Sequence, residues 1–234
     1  MNRVVIGLLL FGISFGYVEA AVVTYLRALY DPMRHQLHPE RPEGELFPLI
    51  TPEQLQALGP ENTRRLGAEL GREAATLVML AAAGLIVSRT PQRWLAATLI
   101  AFGAWDISFY AFLRVLIHWP ATLFTWDILF LLPVPWVGPV IAPVLVSLAM
   151  IGGGVMALAR PIPLRSPHWL AIVGGGVVII VAFCWDFRNT SSGGMPNPFN
   201  WPLFLAGLLI SVAGFAAAAR KREVREVGRS VGAG

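Results

Sequence analysis

Charge is what this chain has least of. Asp, Glu, Lys and Arg make up 14% of its 234 residues and apolar side chains 56%, where ordinary soluble domains carry about 25% and about 45–50%. That imbalance excludes a soluble globular protein and predicts an integral membrane protein. Cysteine is nearly absent: Cys184 stands alone, so no intramolecular disulfide forms. Histidine is scarce too. His35 and His38 fall in a proline-rich loop, His168 falls at the opposite end of the bundle from His118, and no two histidines share an apolar run, which leaves no bis-histidine haem site. There is no phosphate-binding glycine loop, zinc finger or nucleic-acid module, so the net charge of +4 points to anionic lipid head groups, not nucleic acid. Cys184 and Ser108 lack a histidine at helical reach and a nucleophile elbow, which argues against serine or cysteine nucleophiles.

What is present is a series of apolar runs near the ~20 residues that a helix needs to cross the hydrocarbon core. They extend from Val4 to Leu26, Ala68 to Val87, Trp94 to Ile117, Gly138 to Ala159, Trp169 to Phe187 and Trp201 to Ala219. Arg3, the following apolar run and Val18-Glu19-Ala20 have the look of a secretory signal, but the run continues through Val23 and is read as the first span. The fold expected is all-α: one polytopic bundle of six helices over residues 1–220, then a basic tail over residues 221–234.

Arginines set the orientation, because positively charged short loops stay cytoplasmic. Arg3, Arg89, Arg93, Arg160, Arg165 and the tail residues Arg220, Lys221, Arg222, Arg225 and Arg229 all fall on one side of the six-span map. Both termini are therefore expected in the cytoplasm, with a bacterial-type plasma membrane as the setting and anionic head groups against the tail. Trp119, Trp126, Trp136, Trp185 and Trp201 gather on the other side, as an interfacial belt would. The outer loop, residues 31–67, is proline-rich; Thr51-Pro52-Glu53-Gln54 reads as a cap, a proline at the first helical position and a capping box, which predicts a short surface helix ending at Gly59. Asn189-Thr190-Ser191 matches a glycosylation acceptor. Gly12, Gly16, Gly67, Gly71, the Gly152 to Gly154 and Gly174 to Gly176 runs, and Gly207 with Ser211 mark close helix approaches within the bundle, in preference to a dimer seam. No internal repeat of the transporter kind is visible.

The polar residues converge. At 1.5 Å per residue, Glu19 lies about 22 Å from the cytoplasmic start of its span, Asp106 about 18 Å and Asp186 about 26 Å, all in the outer half of a core about 30 Å thick. Glu69 and Glu73 share a face of the second helix and enter from outside. Asp106, Tyr110, Arg114 and His118 recur every four residues as one stripe on the third. The apolar stretch Leu123 to Pro135 holds Asp127 and is too short to cross and return, which predicts a re-entrant or interfacial lid between the third and fourth spans.

A charge at depth needs a partner. One reading is an internal pocket lined by spans one, two, three and five, in which Glu19, Glu69, Glu73 and Asp106 hold a divalent metal (iron, zinc or manganese). In it Asp106, Asp127 and His118 do acid–base work, and Arg72, Arg114 and Tyr110 bind an anionic substrate. This predicts a membrane enzyme acting on a lipid-like or outer-leaflet substrate. The rival readings are a non-catalytic subunit beside a membrane-protein partner, whose acids and arginines merely neutralise one another, and an ion- or proton-coupled carrier. The last requires polar access from both sides, and the cytoplasmic half holds little beyond Ser14, Thr98 and Ser147.

Overall fold

The computed structural model describes residues 2–42, 44–88, 90–160 and 162–231, with side chains from residue 3 to residue 220. Arg89, the side chains of Lys221, Arg222, Arg225 and Arg229, and residues 232–234 lie outside the described residues. The elements in chain order are α1 (Asn2–Leu37), α2 (Pro52–Ala57), α3 (Pro60–Val87), α4 (Pro91–Ile117), β1 (Trp126–Phe130), β2 (Trp136–Pro139), α5 (Ile141–Ala159), α6 (Ser166–Phe183), α7 (Phe187–Ser191) and α8 (Trp201–Val231). Six of them, α1, α3, α4, α5, α6 and α8, are long and apolar enough to span a membrane. The protein is thus a multi-pass helical bundle by length and composition.

Two differences from the sequence reading matter. The connection between α1 and α3 is shorter than residues 31–67, because α1 runs on through Pro32 to Leu37 and α3 starts at Pro60. Between them, Thr51 Oγ1 accepts from the Gln54 N–H and the Gln54 side chain accepts from the Thr51 N–H, closing the capping box of α2. Gly59 follows with φ 129°, a backbone that a Cβ would strain. Second, the fold is not purely α-helical. Residues 126–139 form an antiparallel hairpin pairing Trp126 with Pro139, Asp127 with Gly138 and Ile128 with Val137, with a register shift before Phe130 meets Trp136. The physical reason is local: Trp, Ile, Leu and Phe favour a pleated surface, and Pro133 and Pro135 stop either strand from continuing as helix.

Helix α4 is the centre of the bundle, packing against α1, α3 and α5, and it is the most buried span. Glycine makes that possible. A Cβ on Gly12 would lie 2.6 Å from the Ala101 carbonyl oxygen and one on Gly16 2.8 Å from that of Trp105, so α1 rests directly on the α4 backbone. The second tight pair is α6 with α8, where a Cβ on Gly175 would lie 2.5 Å from the Gly207 carbonyl oxygen. By contrast Gly67 and Gly71 face open space. At the end of the bundle carrying both termini, Leu8, Leu80, Ala97, Ile100, Ala101 and Leu158 fill the interior. At the opposite end, which carries the long connections and is called the loop end here, the core is Ala20, Tyr110, Leu113, Trp119 and Val140.

Candidate functional site

The loop end holds a cavity of about 250 Å³ walled by α1, α3 and α4 and covered by β1 and by Leu46, Leu49, Ile50 and Leu55 of the α1–α3 connection. Its walls are mostly apolar, and the acids within them fall into two groups.

The first is committed to holding elements together. Helix α3 places Glu69 and Arg72 one turn apart, and Arg72 is ion-paired with both Glu69 and Glu19 of α1. Glu19 is 4% exposed and also accepts from Thr76 Oγ1 at 2.9 Å. Glu73, one further turn along, accepts the Leu131 N–H at 2.9 Å through Oε2 and 3.2 Å through Oε1. That amide sits where β1 ends, and a strand-edge N–H away from water needs an acceptor. Glu73 therefore fastens the hairpin to α3.

The second group lacks a basic partner within ion-pair distance. Asp106 of α4 accepts from Ser147 Oγ of α5 at 2.8 Å, and Asp127 of β1 accepts from Tyr110 Oη of α4 at 2.8 Å. Both aspartates are buried and line the cavity. Burial pushes the Asp127 carboxyl up to about 6, with the Tyr110 hydroxyl, the Arg27 charge and the Ile128 N–H pulling against it. Tyr110 packs at a tilt against Trp119, 6.3 Å between ring centroids, and Trp119 in turn carries the Arg27 guanidinium 3.9 Å from its ring centroid.

Several residues expected at the site are elsewhere. The four-residue stripe on α4 drifts by about 40° per step at 100° per residue, so Asp106 and Tyr110 face the cavity while Arg114 and His118 have turned to the surface. His118 ends α4 in the left-handed region at φ 56°, and Arg114 Nη1 donates to its carbonyl at 2.5 Å and to that of Pro120 at 3.3 Å. Both residues complete a helix terminus. Asp186 lies past the end of α6, where Asn189 and Asn197 donate to it; partial burial pushes its carboxyl up and these donors outweigh that, leaving it below the usual range. No residue of α6 lines the cavity, which corrects the expectation of a fifth-span wall. The Asn189 amide is also committed to the Met195 carbonyl at 2.8 Å.

The metal reading fares no better. Among the described residues no group of three or more His, Cys, Asp and Glu side chains is placed to hold an ion. The cause is visible in the partners: Glu19 and Glu69 turn onto Arg72, Glu73 onto a backbone amide and Asp106 onto Ser147. Turned this way, the described acids do not make the donor set of a metal ion.

The cavity also contains residues that were not expected to line it from the sequence, chiefly Thr76, Trp119, Arg27 and Arg34. Glu19, Val23, Leu26, Arg27, Tyr30 and Arg34 all line it. Their three- and four-residue spacing is one continuous helix face, a signal hidden by ending the first span at Leu26. Three comparisons with known proteins leave this geometry to speak for itself: no family model, curated protein or solved structure matches the chain.

Proposed function

We propose that this protein is a membrane enzyme that takes a lipid-like substrate into the loop-end cavity and works on it by acid–base chemistry between Asp127, Tyr110 and Asp106. The observation that carries this reading is the contrast within the cavity. Glu19 and Glu69 are paired with Arg72, and Glu73 is taken up in fastening the hairpin through the Leu131 amide, as architecture requires, whereas Asp106 and Asp127 are buried on side-chain hydroxyls that join no element end and have no ion pair. Buried carboxyls that meet a hydroxyl and the cavity, with no ion pair to hold them, suit general acid–base work. In this reading one carboxyl gives a proton to the reacting group while its neighbour accepts one, and the Tyr110 hydroxyl links Asp127 to the substrate. The leucines and Phe109 of the wall take the acyl or isoprenoid portion.

A carrier is less well supported. The half of the bundle beyond Asp106 is filled by Ile100, Ala101, Leu80 and Leu8, so a polar path to the other side would have to cut through close-packed side chains. The acid–arginine network around Arg72 is the part of the molecule that a purely structural subunit would share.

The test is conversion of lipid. The full chain in nanodiscs made from a total bacterial lipid extract, followed by mass spectrometry of the lipids, is expected to yield a product that Asp106→Asn and Asp127→Asn do not make although both remain folded. A lipid profile unchanged by the wild-type protein, or changed equally by both variants, overturns the assignment.

The arginine distribution supports an outward-facing cavity, with the hairpin as its interfacial lid and the tail from Arg220 against anionic head groups. Burial raises the Cys184 thiol, so it is a poor handle for labelling. In a Cys184→Ser background, Ser192→Cys at the loop end is expected to react with an impermeant maleimide in intact cells. Thr90→Cys at the other end is expected to react only after permeabilisation; the reverse pattern inverts the topology.

A further inference from the structure

The unmet hydrogen-bonding capacity of the cavity is all of one kind. Every acid lining it has a donor: Arg72 and Thr76 for Glu19, Arg72 for Glu69, the Leu131 amide for Glu73, Ser147 for Asp106 and Tyr110 for Asp127. The buried lining atoms left without a partner are Arg27 Nε, Arg34 Nε and Trp105 Nε1, and all three are donors.

Arg27 is the most exposed in the energetic sense and the least in the geometric one. It is 9% accessible, so it does not reach out to surrounding head groups as a snorkelling arginine does. No hydrogen bond or ion pair engages any of its atoms among the described residues, and its guanidinium rests 3.9 Å from the centroid of the Trp119 ring. Asp127 is the wall acid whose charge acts on it, but that carboxylate is taken up with Tyr110. The other charges around it are Asp31 and Arg34, which pair with each other at 2.5 Å. Arg34 lies two turns further along the same face of α1, with Tyr30 between them. The arginines named from sequence as anion holders are already engaged, Arg72 by Glu19 and Glu69 and Arg114 by two carbonyls. A buried, aromatic-backed guanidinium facing a void with its donors free is an anion seat waiting for oxygen acceptors.

We propose that the cavity recognises its ligand by an anionic head group, phosphate or carboxylate, seated on Arg27 against Trp119 with Arg34 as the second cation, while the apolar chain lies along the wall. This rests on the reading of the cavity as a substrate site and names the substrate class as an anionic amphiphile.

Calorimetric titration of the full chain in a neutral maltoside detergent tests it, with dioctanoyl phosphatidic acid, dioctanoyl phosphatidylcholine and inorganic phosphate as probes. Saturable binding of the phosphatidic acid, at least tenfold weaker in Arg27→Gln and partly restored in Arg27→Lys, is the expected result, with phosphatidylcholine binding weakly. If Arg27→Gln does not fold, Trp119→Leu, which removes the aromatic backing and keeps the charge, is expected to weaken binding in the same direction. Inorganic phosphate binding as tightly as the lipid, and as dependent on Arg27, supports the seat with a soluble anion as its source. Equal affinity for phosphatidylcholine, or undiminished affinity in Arg27→Gln, overturns it. Anion binding through Arg27 without any lipid conversion leaves the seat standing and removes the enzyme; conversion indifferent to Arg27→Gln does the opposite.

Discussion

Replacing Arg72 with methionine is expected to cost about 3–5 kcal/mol, the penalty for leaving buried charge without its partner, and to yield protein that fails to assemble in detergent at neutral pH. Among the described residues Arg72 is the one cation that touches both Glu19 of α1 and Glu69 of α3. Methionine keeps the length of the side chain and removes the charge, so two carboxylates 5% and 14% exposed are left facing each other. The triple variant Arg72→Met, Glu19→Gln, Glu69→Gln is expected to recover most of the loss, because no buried charge remains. Fluorescence-detected size exclusion over a temperature ramp reads both. A single variant as stable as the wild type would mean that water, not Arg72, satisfies these acids.

The second large effect is a pH dependence with a definite sign. Asp127 keeps its proton to about 6 in the folded protein, while an unfolded aspartate releases it near 4. Between those values the native state binds the extra proton, so stability falls as pH rises through the window and is fully present only below it. About two units at 1.36 kcal/mol each make the contribution roughly 3 kcal/mol. Thermal unfolding of the wild type followed from pH 4 to pH 7.5 is expected to show this decline, and Asp127→Asn, which is neutral throughout, is expected to flatten it. Parallel pH profiles for the two proteins would show that Asp127 does not carry the dependence.

These expectations depend on features that the sequence reveals unevenly. Spans are legible because a helix of about 20 apolar residues is a composition statement, and the capping box at Thr51 is legible because its partners are three residues apart. The convergence of Glu19, Glu73, Asp106 and Asp127 at one end is also readable, since depth follows from helix rise. Which acid meets which donor is not. Glu19 and Thr76 are 57 positions apart and Asp106 and Ser147 are 41 apart, and nothing local couples them. Arg114 and His118 illustrate the other limit. A spacing of four suggests a shared face, but its drift accumulates, and over three steps it carries the last two residues out of the cavity and onto the helix terminus. The hairpin was hidden by its composition: an apolar run broken by prolines reads equally as lid, loop or half-helix.

The placement of the lining residues has a consequence for biosynthesis. Every one of them lies between Glu19 and Leu131, so the polypeptide that encloses the cavity is continuous and leaves the ribosome before any of α6, α7 or α8. Those later elements meet the rest mainly through α5 and the back of β2. They act as a buttress added to a chamber already built, and a chain halted after α5 has every wall of that chamber, together with Ser147 beneath Asp106.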